Sequence, residues 1–128
     1  MFDVVIVGGG MVGASLALKF SQAGLQVALL EKTAPSPLLD TAPFDLRVSA
    51  INRRSEAWLQ SLGAWDLLQP ERLCPYQRLQ AFEAQSNPAW LGQPELTFTA
   101  AEIGQSHLGH IVENQHLQAA LWQAFPAA

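Results

Sequence analysis

Cysteine is almost missing from this chain: Cys74 stands alone among 128 residues. That excludes an internal disulfide and any zinc site built on cysteines, and it suits a reducing, cytoplasmic setting. Basic residues are also few. Seven Lys and Arg face eleven Asp and Glu, giving a net charge of −4. There is no basic footprint, so nucleic acid is not an expected partner. No apolar run reaches the roughly 20 residues that a membrane span needs. The apolar N-terminus has Asp3 where a signal peptide has basic residues, and three consecutive glycines interrupt it. Any membrane contact is therefore expected to be peripheral. There is no internal repeat, no low-complexity tract, no Ser-His-Asp pattern and no paired carboxylate. What remains is 49% hydrophobic, enough for a core in one modest domain.

The informative part is the stretch from Asp3 to Glu31. An apolar run (Val4 to Val7) leads into Gly8, Gly9 and Gly10, then Met11, Val12 and Gly13. A helical stretch to Ala23, then Gly24, a second apolar run (Val27 to Leu30) and Glu31 follow. Gly8, Gly10 and Gly13 occupy the three positions of G-x-G-x-x-G. The match is persuasive because it follows a strand, opens a helix and has an acid 18 residues beyond Gly13. Gly8 permits the tight turn, Gly10 lets a pyrophosphate approach the backbone, and Gly13 lets helix and strand pack closely. The free N–H groups and positive dipole end of the helix then face phosphate. Glu31 is placed to accept hydrogen bonds from adenosine ribose hydroxyls. Its charge repels a 2′-phosphate, so the site suits FAD or NAD rather than NADP.

The rest of the chain divides by pattern. A first strand is expected at Asp3 to Val7, buried on both faces as a parallel strand. The first helix covers Met11 to Ala23, with Val12, Leu16 and Phe20 as its apolar stripe and Gly24 as its C-cap. The second strand spans Gln26 to Glu31. Pro35, Pro37 and Pro43 exclude regular structure from Thr33 to Asp45. A second helix is expected over Asn52 to Leu62, capped by Asn52 and ended by Gly63, with a short turn at Trp65 to Leu68. Leu79 to Glu83 and Leu96 to Thr99 read as strands at hairpin-like spacing. They suggest the start of a second, antiparallel sheet. A short strand at His110 to Val112 leads into a last helix, Gln115 to Phe125, with Leu117, Leu121 and Phe125 as its stripe. The expected organisation is a dinucleotide-binding part at 1–74, a second sheet beginning at 75–108, and a return to the first part at 109–128.

Other residues divide less sharply. Arg47 follows the proline-rich loop, where its planar fork could pair with phosphate oxygens. From spacing alone, a solvated surface arginine is as good a reading, and Arg53 and Arg54 are read as solvated. Cys74, flanked by Leu73 and Pro75 with no base beside it, is read as a packed thiol. His107, His110 and His116, with Glu113 nearby, fit no common metal-ligand spacing, so no metal is expected. Glu113, Asn114 and Gln115 stand where the last helix begins, as caps or facing a cofactor. Trp58, Trp65, Trp90 and Trp122 are read as packing residues.

Three stretches together resemble a known family. They are Val5-Ile6-Val7-Gly8-Gly9-Gly10-Met11-Val12-Gly13, then Leu46-Arg47-Val48-Ser49-Ala50-Ile51-Asn52 with Leu62-Gly63-Ala64-Trp65, and Ser106-His107-Leu108-Gly109-His110-Ile111-Val112-Glu113-Asn114 with Ala120-Leu121-Trp122. In order and spacing the chain resembles the flavin-dependent aromatic hydroxylases of ubiquinone biosynthesis, class A flavoprotein monooxygenases with the p-hydroxybenzoate hydroxylase fold. Within that family it looks closest to the 2-polyprenylphenol hydroxylases, with the later benzoquinol hydroxylases second.

The resemblance implies an α/β, Rossmann-like FAD-binding domain, truncated, with the beginning of a substrate-side antiparallel sheet. It implies that Gly8, Gly10, Met11, Val12 and Gly13 hold the FAD pyrophosphate, and that Glu31 and Lys32 flank the adenosine. Arg47, Asn114 and Gln118 would lie along the pyrophosphate and ribityl chain. NAD(P)H would be the transient reductant, O₂ the co-substrate and a polyprenylated phenol or quinol the substrate. Contact with other ubiquinone-biosynthesis proteins, and a peripheral position at the inner membrane, go with that reading.

Family members run to roughly three times this length. The chain is therefore expected to be the N-terminal part of a larger protein, inactive by itself. Two alternatives stand beside this reading: an NAD-binding dehydrogenase domain and a non-catalytic interaction fragment. The proline-rich loop followed by Arg47 favours FAD, because NAD domains usually continue directly into further strand–helix units.

Overall fold

The computed structural model describes residues 1–37, 43–82 and 96–126. The opening unit is as the sequence predicts. Strand β1 (Val4–Val7) runs into helix α1 (Met11–Gln22) and returns as β2 (Val27–Leu30). β1 and β2 pair in parallel, from Val4 opposite Val27 to Val7 opposite Leu30. A connection through a helix is what parallel neighbours require. Gly24 and Gly63, both at positive φ, follow α1 and α2 (Arg53–Ser61). Asn52 caps α2, its side chain accepting from Ser55 N at 2.9 Å.

Two apolar expectations need correction. β1 is not buried on both faces among the described residues: Val4 and Ile6 are half-buried, but Val5 and Val7 are exposed. A parallel strand is buried twice only where helices lie on both sides. The expected stripe of α1 is also displaced. Val12 is 80% exposed and Leu16 41%, whereas Ala14, Ala17 and Leu18 are fully buried. Small alanines let α1 lie close against the last helix, α3 (Asn114–Gln123). The larger side chains point elsewhere.

The sequence reading passes over two strands. β3 (Val48–Asn52) lies directly before α2, and β4 (Cys74–Tyr76) follows the short turns at Trp65–Leu67 and Pro70–Arg72. Both pair antiparallel with β7 (Gly109–Glu113), giving the sheet order β3-β7-β4. The division expected at residue 75 thus falls inside β4. Cys74 is exposed on this strand rather than packed. Among the described residues β4 has β7 on one side only and lies at the sheet edge.

The hairpin-like pair is present. β5 (Arg78–Ala81) and β6 (Leu96–Thr99) form a separate antiparallel sheet, with Leu79 opposite Phe98. The parts of the proline-rich loop that are described contain no helix or strand. Trp90 and the turn residues Asn87, Pro88 and Gly92 lie outside the described residues.

The main core sits where α1, α2 and α3 meet the three-stranded sheet. Leu18, Leu59, Leu62, Val112, Leu117 and Leu121 are all nearly inaccessible there. Leu117 and Leu121 come from the expected stripe of α3, and Phe125 packs against its edge. Fully burying one such side chain contributes about 1.5–3 kcal/mol. This cluster fixes α3 against the glycine turn that ends β1.

Candidate functional site

The glycine turn is built by steric necessity. Gly8 has φ +100°, a left-handed conformation that a side chain would strain, and its N–H bonds to Leu30 O at 2.8 Å. A Cβ on Gly13 would lie 1.9 Å from the Gly8 carbonyl oxygen. Here α1 and the end of β1 touch backbone to backbone. Gly10 differs, because a Cβ there would meet nothing within 4 Å. It faces open space, as a backbone approached by a ligand must.

The N-terminus of α1 is electrostatically unfinished. Gly10 is its N-cap residue, no side chain caps it, and the first turn holds no acid. The first bond of the helical ladder runs from Ala14 N to Gly10 O at 2.9 Å. The amides of Met11, Val12 and Gly13 are therefore left without carbonyl acceptors in the preceding turn. They stand beside the open face of Gly10. Donors arranged like this favour a phosphate or diphosphate.

Glu31 follows β2 directly and reaches back to this turn. One carboxylate oxygen accepts from Gly9 N at 2.6 Å and the other from Thr33 N at 3.2 Å. The Gly9 bond, helped by Thr33, holds the carboxyl below its usual range against a smaller opposing effect of burial. Glu31 is thus an anion at neutral pH, oriented by the loop that it adjoins. An ionised carboxylate is acceptor-only and suits a ribose diol. Lys32, next to it, is exposed.

α3 supports the turn from the other side. Gln118 Nε2 and Trp122 Nε1 both donate to the Gly9 carbonyl, each at 2.8 Å. Gly9 cannot carry a side chain, since a Cβ would stand 2.6 Å from the Trp122 ring. The sequence reading used Gly8, Gly10 and Gly13 and overlooked Gly9 and this role of Trp122. A signal was available: Gln118 and Trp122 are four residues apart and share a helix face. Replacing Trp122 with phenylalanine keeps a ring in place and removes one donor. It should lower stability by about 1 kcal/mol, as should Gln118→Ala. Both donors serve one carbonyl, so the double variant should depart from additivity. Thermal melts of the four proteins check this, and strictly additive shifts would refute the shared role.

Arg47 and Asn114 meet at the start of α3. Asn114 N donates to Arg47 O at 2.9 Å, and Ser49 Oγ donates to Asn114 Oδ1 at 2.6 Å. The Arg47 side chain is exposed, and only its backbone is fixed among the described residues, with its N–H bonded to Asp45 Oδ1. Asn114 and Gln118 are one turn apart on α3. The helix therefore links the neighbourhood of Arg47 to the glycine turn.

Beneath this junction lies an ion pair that the sequence reading did not foresee. Glu113 stands at the N-cap position of α3, but its side chain makes no capping bond to the helix. It is buried and takes a two-point bond from Arg72, Nε to Oε2 and Nη2 to Oε1, both 2.7 Å. Asp45 N adds a third bond to Oε1 at 2.6 Å. The Arg72 bonds, more than the opposing burial, hold the Glu113 carboxyl below its usual range. Arg72 also bonds Pro43 O and lies under the Phe44 ring, 4.5 Å from its centroid. The end of the proline-rich loop is thereby tied to β7.

His116 is buried and accepts from Gln69 N at 3.1 Å, and burial lowers its pKa. His107 and His110 converge on Glu56, a residue far from them in sequence. Among the described residues no helix is long and apolar enough to cross a membrane.

Known proteins resemble this chain in sequence and in fold. Residues 3–41 match the family model described as FAD dependent oxidoreductase. The chain is 42% identical over 125 residues to the 3-demethoxyubiquinol 3-hydroxylase of Escherichia coli strain K12, covering 98% of the chain and 30% of the relative. It is 35% identical over 127 residues to the mitochondrial ubiquinone biosynthesis monooxygenase COQ6 of Danio rerio, covering 94% of the chain and 25% of the relative.

Among solved structures, the p-nitrophenol 4-monooxygenase PnpA from Pseudomonas putida DLL-E4 superposes with a TM-score of 0.62 at 22% identity, over 94% of this chain and 28% of that one. Klebsiella pneumoniae HpxO complexed with FAD and uric acid gives a TM-score of 0.58 at 18% identity, over 94% and 28%. These two similarities establish the fold, that of FAD-dependent monooxygenases. The chain spans 25–30% of the length of the sequence relatives named. The FAD match replaces the alternative of an NAD-binding dehydrogenase domain. In sequence this chain is similar to ubiquinone-biosynthesis hydroxylases over 25–30% of their length, and in fold it is similar to FAD-dependent monooxygenases.

Proposed function

We propose that this chain forms the adenosine–diphosphate part of the FAD site in an aromatic-ring hydroxylase that acts on a polyprenylated phenol or quinol of ubiquinone biosynthesis. O₂ is the co-substrate and NAD(P)H the reductant. The observation that supports this most is the glycine corner: unpaired amides of α1 beside the open face of Gly10, with an oriented Glu31 carboxylate alongside. In this reading Gly8, Gly10, Met11, Val12 and Gly13 hold the diphosphate, Glu31 the adenosine ribose, and Lys32 lies beside it. Arg47 offers its exposed fork to phosphate oxygens or the ribityl chain. Asn114 and Gln118 hold Arg47 and the glycine turn at their separation.

Bound FAD supplies the oxygen-activating chemistry. This chain's residues bind and orient its nucleotide end, and they contribute no catalytic group to the ring. The exposed apolar residues of β5 and β6, Leu79, Leu96 and Phe98, begin the substrate-side sheet. The protein is placed in the cytoplasm, peripherally at the inner membrane where a prenylated substrate resides.

Binding assays test this reading. The chain should bind FAD weakly, and Glu31→Gln should weaken both FAD and ADP further, because the ribose loses an anionic acceptor. Equilibrium dialysis reads both affinities. Tighter binding of NAD than of FAD, or NAD(P)H oxidation coupled to phenol hydroxylation by this chain alone, would overturn it.

A further inference from the structure

Away from the glycine corner, the first turn of α2 faces the segment entering β7. There three side chains gather that lie far apart in sequence. Glu56 is 5% exposed. His107 Nε2 stands 3.2 Å from Glu56 Oε1, and His110 Nδ1 stands 3.4 Å from the same oxygen. One ligand atom from each residue fits within a span of 4.8 Å.

The partners around this cluster leave room for one more ligand. Arg53 Nη1 lies 2.6 Å from His107 Nε2. A guanidinium can only donate and a carboxylate can only accept, and His107 Nε2 lies within reach of both, 3.2 Å from each Glu56 oxygen, while its Nδ1 is 2.8 Å from Ser106 Oγ. With Nδ1–H donating to Ser106, His107 Nε2 is able to offer a lone pair to a cation. His110 Nδ1 is buried and has no hydrogen-bond partner. Two imidazole nitrogens and a carboxylate oxygen thus converge on one point. Such a set is electron-rich and attracts a cation. Arg53 occupies that place, with Nη1 2.6 Å from His107 Nε2 and 3.6 Å from Glu56 Oε1, but its side chain is 44% exposed and can leave.

We propose that Glu56, His107 and His110 form a divalent-cation site of the zinc type, which ties α2 to the segment leading into β7. The spacing suits that ion. Zinc bonds of roughly 2.0–2.2 Å to nitrogen and oxygen put neighbouring tetrahedral ligands roughly 3.3–3.5 Å apart. The two edges to Glu56 are 3.2 and 3.4 Å, and the third, between the imidazole nitrogens, is within 4.8 Å and closes by a small movement of one ring. Two histidines and a carboxylate are borderline ligands that favour zinc over magnesium or calcium. Ser106 at His107 Nδ1 supplies the outer bond that fixes a metal-binding imidazole. The fourth position faces Arg53, which swings aside to admit the ion and a water.

The experiment uses the full chain, stripped with chelator and titrated with Zn²⁺ by calorimetry and with Co²⁺ by visible absorption. One equivalent should bind, with the intense visible bands of four-coordinate Co²⁺ and a rise in the melting temperature. His107→Ala and His110→Ala should each weaken binding by more than about tenfold, since loss of even a supporting partner costs that much. Arg53→Gln should strengthen binding severalfold by removing the competing cation. Because that variant gains affinity, misfolding cannot mimic it. Circular dichroism checks that the histidine variants fold. Unchanged affinity in folded histidine variants would overturn the proposal, as would no saturable binding by either the parent or Arg53→Gln.

Discussion

Gly13→Ala should collapse the nucleotide corner and the fold around it. The added carbon would sit 1.9 Å from the Gly8 carbonyl oxygen and 3.4 Å from Ile6 Cγ2. A backbone oxygen cannot rotate away as a side chain can. Either α1 lifts off β1 or the positive-φ turn at Gly8 opens. Overpacking of this kind costs about 3 kcal/mol or more when no side chain can yield. Against a typical total of about 5–15 kcal/mol, that leaves a marginal domain.

Gly10→Ala is the matched control. A Cβ at that position meets nothing within 4 Å. It should leave the denaturation midpoint nearly unchanged and still block the approach of a diphosphate to the main chain. Urea unfolding, paired with ADP affinity, separates the two. The expected pattern is lost stability at Gly13 and lost binding with intact stability at Gly10. Equal stability loss in both variants would show that Gly10 is structural.

The second large effect belongs to the Arg72–Glu113 pair. Both side chains are almost fully buried, and removing either charge takes from the other its ion-pair partner. Glu113→Gln or Arg72→Met should therefore destabilise the chain by about 3–5 kcal/mol. The damage should reach the cofactor side, because Glu113 also holds Asp45 N and directly precedes Asn114.

The pair also sets a pH dependence. Arg72 depresses the folded pKa of Glu113. Its stabilisation is thus fully present above the unfolded carboxylate value, about 4.3, and is lost as pH falls through the folded value. His116, whose folded pKa is depressed by burial, works in the same direction but earlier. Its contribution starts to fall as pH drops below the unfolded histidine value of about 6.5. Melting temperature should therefore decline in two stages on acidification. In Glu113→Gln the lower stage should shrink. A melting temperature independent of pH from 7 to 3 would contradict this.

The reach of the sequence follows from the range of the interactions. The β1–α1–β2 unit was legible because its signals are local: an apolar run, glycines at fixed offsets, an acid at the end of the next strand. The strand pair β5–β6 and the cap at Asn52 were legible for the same reason. β3 and β4 were not. They are short, and what makes them strands is pairing with β7, where Val48 meets Glu113 and Cys74 meets Ile111.

The stripe of α1 was misjudged because burial followed the small residues that permit close approach to α3, while Val12 and Leu16 stayed outside. Arg72 with Glu113, Glu56 with His107, and Gly9 with Trp122 join residues 41, 51 and 113 positions apart. No spacing rule along the chain reports such pairs. The candidate site was thus readable where it is backbone, at Gly8, Gly10 and Gly13, and unreadable where it depends on distant side chains holding that backbone.

Amide-resolved NMR of the chain titrated with ADP tests the central claim most directly. The largest shifts should fall on the amides of Gly10, Met11 and Val12, with a smaller response at Gly9 as Glu31 exchanges a loop bond for the ribose. The binding should be weak and saturable. Shifts centred instead on the cavity lined by Pro35, Leu67, His116 and Trp122, with the glycine amides unmoved, would contradict it.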